Sequence, residues 1–198
     1  MKNQELFDKY SRDKHWENHP TIHADMFAKF LKNNLNKQIL SSEFVITDLG
    51  CGIGRDVVRF REHRISCMGF DIDHEALVYI SNHYNIHGTN FNCCNIEKLP
   101  FQNSSKYAYF CINVMHYVNA SKVMKEMYRT LKRGGYAFIH FNLLIIDENY
   151  SIDYHQKKSD VYELIKEFEI VSENIFLRED SKPVPHTHHI MQLILKKH

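Results

Sequence analysis

The stretch VITDLGCGIGRD, Val45 to Asp56, restricts what this chain can become more than any other part of it. An apolar run ends at Thr47-Asp48, and glycines follow at 50, 52 and 54. GRDVVRFREHR behind them reads as a helix. A buried strand, a glycine turn and a helix, in that order, bring backbone N–H groups and a helix N-terminus beside a ligand. Glycines suit the turn because they reach positive φ and let a ligand lie against bare backbone. Spacing then separates the cofactors that such turns serve. A dinucleotide fingerprint, G-x-G-x-x-G, needs its third glycine at Arg55 or at Val57, and neither is glycine. A phosphate-cradling loop needs Gly-Lys-Ser/Thr, which the chain lacks. Asp48, at the mouth of the turn, repels a pyrophosphate and attracts a ligand carrying an ammonium group.

Asp48-Leu49-Gly50-Cys51-Gly52-Ile53-Gly54 thus resembles the D/E-x-G-x-G-x-G motif of class I S-adenosylmethionine-dependent methyltransferases. Three later segments carry the same resemblance. Gly69-Phe70-Asp71-Ile72-Asp73 looks like the family's second motif, with Asp71 nineteen residues beyond Gly52. At that spacing an acid at the end of the second strand accepts from both ribose hydroxyls. Asp73 is assigned instead to capping the following helix. Asn95-Ile96-Glu97-Lys98-Leu99-Pro100-Phe101 is similar to the D-A-E-x-L-P-F signature, whose first residue meets the adenine amino group. Asn95 retains an accepting carbonyl but not the charge, and Ile96 offers the ring an apolar surface. RTLKRGGYAFIHF is similar to the family's R-x-L-K-P-G-G segment, with Arg133 in the proline position. A departure lies at Tyr107-Ala108, where the family usually has Phe-Asp.

The resemblance spans about residues 44–141 and implies an α/β fold. The expected fold is Rossmann-like and doubly wound, a seven-stranded sheet that is mostly parallel with an antiparallel last strand. It implies S-adenosylmethionine as the cofactor, held by Asp48, Gly50, Cys51, Gly52, Gly54, Arg55, Asp71, Ile72, Asn95, Ile96 and Asn113. It also implies an in-line displacement at the sulfonium methyl, which asks mainly for alignment and exclusion of water. Where the acceptor must lose a proton, His116, His140 and Tyr117 are the candidate catalytic residues.

The whole chain, 1–198, is expected to be one methyltransferase domain. Residues 1–40 would form an N-terminal helical cap or lid and 41–198 the Rossmann-like core. Two readings stand for the aromatic lead-in. It covers a sheet edge, or it folds over the cofactor mouth, in which case Tyr10, Trp16, His19 and His23 line the acceptor pocket. From Thr21 a helix with Ile22, Met26, Phe27, Phe30 and Leu31 on one face is expected, capped by the Thr21 hydroxyl. Other expected elements are a third strand within Thr89–Cys94, a fourth at Tyr107–Asn113, a helix at Ser121–Leu131 and a fifth strand at Tyr136–Phe141. A capping box, Asp160 with Glu163, opens a late helix, and strands follow at 169–178 and 187–196.

Twenty-five basic and 24 acidic residues leave a net charge of +1, which gives no electrostatic footprint for nucleic acid. The five cysteines (51, 67, 93, 94, 111) and a polar beginning without a secretory signal point to reduced thiols in the cytoplasm. No apolar run approaches the roughly 20 residues that span a bilayer. His186, His188 and His189 invite a metal reading. The expectation is nevertheless no metal, because neighbours on a strand face opposite sides and no Cys or Glu completes a set. With the core fold taking nearly the whole length, a small-molecule acceptor is the leading expectation. The alternatives are methylation of RNA or protein, and a module that binds S-adenosylmethionine or S-adenosylhomocysteine without turnover. The oligomeric state is left open.

Overall fold

The structure, a computed structural model, describes residues 21–35, 39, 41–83, 91–181 and 184–198. Tyr10, Trp16 and His19, and with them most of the expected lid, lie outside the described residues. Helix α1 (Ile22–Leu35) leads into β1 (Val45–Leu49), α2 (Arg55–Glu62), β2 (Ser66–Asp71), α3 (His74–His83) and β3 (Phe91–Cys93). The chain continues through β4 (Lys106–Cys111), α4 (Ala120–Thr130), β5 (Leu131–Asp147) and β6 (Ile152–Tyr154). It ends with α5 (Lys158–Ile165), β7 (Phe168–Asp180) and β8 (His186–Lys197).

The sheet runs β3-β2-β1-β4-β5-β8-β7, with β6 attached to the far end of β5. Pairings among the first five strands of that path are parallel, and β8 runs antiparallel to both β5 and β7. The seven expected strands and the antiparallel last one are therefore present, and β6 is an eighth. Consecutive residues of the central strands are buried on opposite faces, as a sheet covered on both sides requires. Ala108, Phe110, Tyr136 and Phe138 face α1 and α2, where Phe27 and Phe60 meet Phe110 at ring-centroid distances of 6.1 and 5.1 Å. Tyr109, Cys111, Ala137 and Ile139 face α4 and α5, among Val123, Met127, Val161 and Ile165.

Several local expectations are corrected. Strand β5 begins at Leu131, straight from α4, and runs to Asp147 across a register shift between Asn142 and Leu144. That bulge carries the strand past the expected end at Phe141, so β6 and β8 both find partners there. Thr21 does not cap α1 with its hydroxyl; both its N–H and its hydroxyl donate to Asp56 Oδ1, at 2.8 and 2.9 Å. The Asp160–Glu163 capping box is not formed, since Lys157 occupies the N-cap of α5 without a side-chain bond and Glu163 pairs with Lys166. Asp73 does cap α3, its Oδ1 accepting from the N–H groups of Glu75 and Ala76. Among the described residues no helix is long and apolar enough to cross a membrane.

Candidate functional site

In a sheet wound in both directions, ligands bind beyond the carboxyl ends of the strands where the order reverses. Here that point lies between β1 and β4. A crevice opens there, lined by Asp48 and Gly50–Ile53 from the β1 side, Ile112 and Asn113 from the β4 side, and Arg55 and Asp56 from α2. Asp48, Gly50, Cys51, Gly52, Arg55 and Asn113 meet at this crevice, whereas Gly54, Asp71, Ile72, Asn95 and Ile96 are not part of its lining.

The turn is wired differently from an anion cradle. Gly50 and Cys51 both donate their N–H groups to Phe70 O, at 2.7 and 3.1 Å, and Gly54 donates to Cys51 O at 2.9 Å. Gly52 donates to Asp71 Oδ2 at 2.7 Å. Four N–H groups that would greet a pyrophosphate are thus spent inside the protein, which corrects the expectation that they face the ligand. Carboxylates, carbonyls and bare Cα atoms are left to form the wall. Asp71 holds the turn through Oδ2 while Oδ1 accepts from Asp73 N–H at 2.9 Å, and its remaining lone pairs stay available to further donors. Ile72 beside it is 71% exposed, an apolar side chain standing open to solvent.

The electrostatics favour a cation. Burial raises the Asp48 carboxyl well above the usual carboxylate range, and the nearby Asp56 and Asp71 charges push the same way. Burial raises Asp56 too, against the pull of Arg55, whose Nε lies 3.6 Å from Asp56 Oδ2. Asp48, Asp56 and Asp71 thus crowd together beside Arg55, on which Arg178 acts as a second cation, and a ligand carrying positive charge relieves the repulsion among the acids.

The other expected site residues form separate groups. Asn95 Oδ1 accepts from Glu97 N–H at 2.9 Å, closing a turn at an exposed loop, and Ile96 is packed into the core. His140 is buried and meets His23 edge-on with ring centroids 4.4 Å apart; its Nε2 lies 3.2 Å from Gln192 Oε1. His116 lies against Tyr117 at 3.8 Å, and its Nδ1 is 3.2 Å from Asn142 Nδ2. None of His116, Tyr117 and His140 lines the crevice itself. Sequence reasoning missed Asp56, whose carboxylate pins the start of α1, and Arg178, whose Nη1 donates to Asn113 Oδ1 at 2.6 Å. Residues from the late β7 strand carry no motif, so only the strand register reveals them.

Burial also makes this cluster sensitive to acid. It lowers His23 to about 4 and holds His116 and His140 well below the ordinary imidazole range. A histidine with a depressed folded pKa stabilises the fold fully above the unfolded value near 6.5, and that contribution is lost as pH falls towards the folded value. Each such histidine removes up to about 1.4 kcal/mol per pH unit in that window. Raised Asp48 and Asp56 act in the opposite sense, so the clean reading is a difference. The urea midpoint of His140→Gln should fall less steeply between pH 7 and 5 than that of the unsubstituted chain.

Residues 47–139 match the profile of a family described as Methyltransferase domain. Over that segment the chain is similar to methyltransferase domains. The matched segment runs from β1 into β5 and so contains the glycine turn, Asp71 and Asn113. Over 120 residues the chain is 27% identical to a malonyl-[acyl-carrier protein] O-methyltransferase of a Marinomonas species, covering 57% of this chain and 44% of that one. A sterol 4-C-methyltransferase of Caenorhabditis elegans is 29% identical over 136 residues, 66% of this chain and 39% of the relative. The chain thus spans less than half the length of either curated relative. A crystallised S-adenosylmethionine-dependent methyltransferase from Methanosarcina mazei shares the fold at a TM-score of 0.66 and 20% identity, covering 82% and 96% of the two chains.

Proposed function

We propose that this chain binds S-adenosylmethionine in the crevice between β1 and β4 and transfers its methyl group to a small-molecule acceptor. The observation that carries the reading is the acid-lined glycine turn, with its N–H groups already bonded within the protein. It suits a sulfonium and an ammonium group and offers little to a pyrophosphate. In this reading Asp71 takes the ribose hydroxyls, Ile72 covers one face of the adenine with Asn95 at its amino edge, and Asp48 with the 50–52 backbone meets the amino-acid end. The acceptor enters on the α1 face of β5, β8 and β7, where His23, His140, Phe176 and Gln192 are gathered. The curated relatives named above are an O-methyltransferase and a sterol methyltransferase. A small organic acceptor fits that company.

The methyl group is activated by the positive sulfur, so the protein's task is alignment and exclusion of water. For an acceptor that must lose a proton, His116 is the proposed general base. With the Asn142 amide turned end for end, its oxygen accepts from His116 Nδ1–H, which leaves the Nε2 lone pair to receive the proton, and burial keeps the ring neutral at pH 7. The test is a methyl-transfer screen of amines, thiols, phenols and carboxylates, read by formation of S-adenosylhomocysteine. On a true acceptor of ionisable type, His116→Ala should lower kcat about 100-fold or more and leave cofactor affinity unchanged. Full turnover in His116→Ala would remove the base. Cofactor binding with no turnover on any acceptor would leave a binding module.

A further inference from the structure

The ends of β7 and β8 gather a second cluster, joined to the crevice through Arg178, which donates to both Asn113 and Asp180. Asp180 is paired with His186 across the two strands, and His188 lies two residues further on, on the same face. His186 Nε2 and His188 Nε2 are 3.0 Å apart; Asp180 Oδ2 is 3.1 Å from His188 Nε2 and 3.6 Å from His186 Nε2. The three side chains are 16%, 0% and 5% exposed, in the order 180, 186 and 188. This arrangement answers the objection raised from sequence alone. His186 and His188 share a face, His189 takes the other, and the third member is a carboxylate from the facing strand.

We propose that Asp180, His186 and His188 bind one divalent first-row transition-metal ion. Ligand atoms about 2.1 Å from a metal, in tetrahedral or octahedral array, lie about 3.0–3.4 Å from one another. The observed separations of 3.0, 3.1 and 3.6 Å need only small adjustment to meet that. Two imidazoles with one carboxylate select zinc, iron or manganese over magnesium and calcium. The outer contacts orient the ligands as metal sites require. His186 Nδ1 lies 2.6 Å from Val184 O, so it carries the proton and directs an Nε2 lone pair into the cluster. His188 Nδ1 lies 3.2 Å from the Asn142 side-chain amide, which turned end for end accepts an Nδ1–H and frees Nε2 for the metal.

Arg178 donates from Nε and Nη2 to Asp180 Oδ2 at 3.1 and 2.8 Å. It orients the carboxylate, so that Oδ2, the oxygen facing both histidines, would be shared between the guanidinium and the metal. Its charge also weakens the attraction for a dication, so the expected affinity is micromolar rather than picomolar. The proposal is independent of the methyl acceptor, although Asn142 links the cluster to His116.

The full chain, stripped with a chelator and dialysed, is titrated with Co²⁺ and with Zn²⁺. One equivalent should bind, and Co²⁺ should show the weak visible bands of nitrogen and oxygen ligation. Asp180→Asn, His186→Gln and His188→Gln should each weaken binding at least about 100-fold. Cys93→Ser and Cys94→Ser, which alter the two thiols nearest solvent, should leave it unchanged. X-ray absorption of the zinc-loaded unsubstituted chain needs no variant to fold; it should show nitrogen and oxygen scatterers near 2.0–2.1 Å. A sulfur shell near 2.3 Å, absence of saturable binding, or binding indifferent to all three ligand substitutions would overturn the site.

Discussion

Replacing Asp71 with alanine should weaken S-adenosylmethionine binding at least about 100-fold, a loss of roughly 2.7 kcal/mol. Two effects add. In the proposed binding mode the carboxylate loses its bonds to the ribose hydroxyls, and charge-assisted bonds of that kind are worth about 1.5–3 kcal/mol each. The glycine turn also loses its clasp, because Asp71 Oδ2 is the partner of Gly52 N–H and Oδ1 that of Asp73 N–H. Asp71→Asn should fall between, since the amide retains one accepting oxygen. Calorimetric titration measures both variants, with circular dichroism confirming that each is folded. A change below about threefold in Asp71→Ala would mean the ribose lies elsewhere.

The second large effect separates two glycines of the same turn. Gly50 has φ +74°, and a Cβ built on it would overlap the Val114 side chain. Gly50→Ala therefore combines left-handed strain of about 1–2 kcal/mol with overpacking of about 1–3 kcal/mol. The expected loss of stability is about 2–5 kcal/mol, read from denaturant midpoints. Gly52 has φ +51°, but a Cβ there meets no atom within 4 Å and projects into open space at the crevice. Gly52→Ala should cost stability only the strain of about 1–2 kcal/mol and weaken cofactor binding about tenfold or more. Equal effects of the two substitutions on stability would show that this description of the turn is wrong.

The contrast between these glycines marks what was legible from sequence. The spacing of 50, 52 and 54, with Asp48 and Asp71 flanking, places the turn between the first strand and its helix because local geometry needs those residue types there. The direction of the N–H groups was not legible, since Phe70 O and Asp71 Oδ2 come from a neighbouring strand. Thr21 looked like a helix cap by local rules, and Asp56, 35 residues away, took its hydroxyl instead. β5 was expected to stop at Phe141 because the bulge at Asn142 hides the alternation that continues to Asp147. Arg178, Asp180, His186 and His188 meet only through the β7–β8 register. No window of sequence brings β7 and β8 together, whereas the crevice motifs are each read within one.

The measurement that bears most directly on the crevice is a crystal structure of the full chain grown with S-adenosylhomocysteine. It should place the ribose hydroxyls on Asp71, the adenine beside Ile72, and the ammonium group within hydrogen-bond reach of Asp48 or the turn carbonyls. Density for the ligand anywhere else, or side chains closing the space between Gly52 and Asn113, would contradict the account.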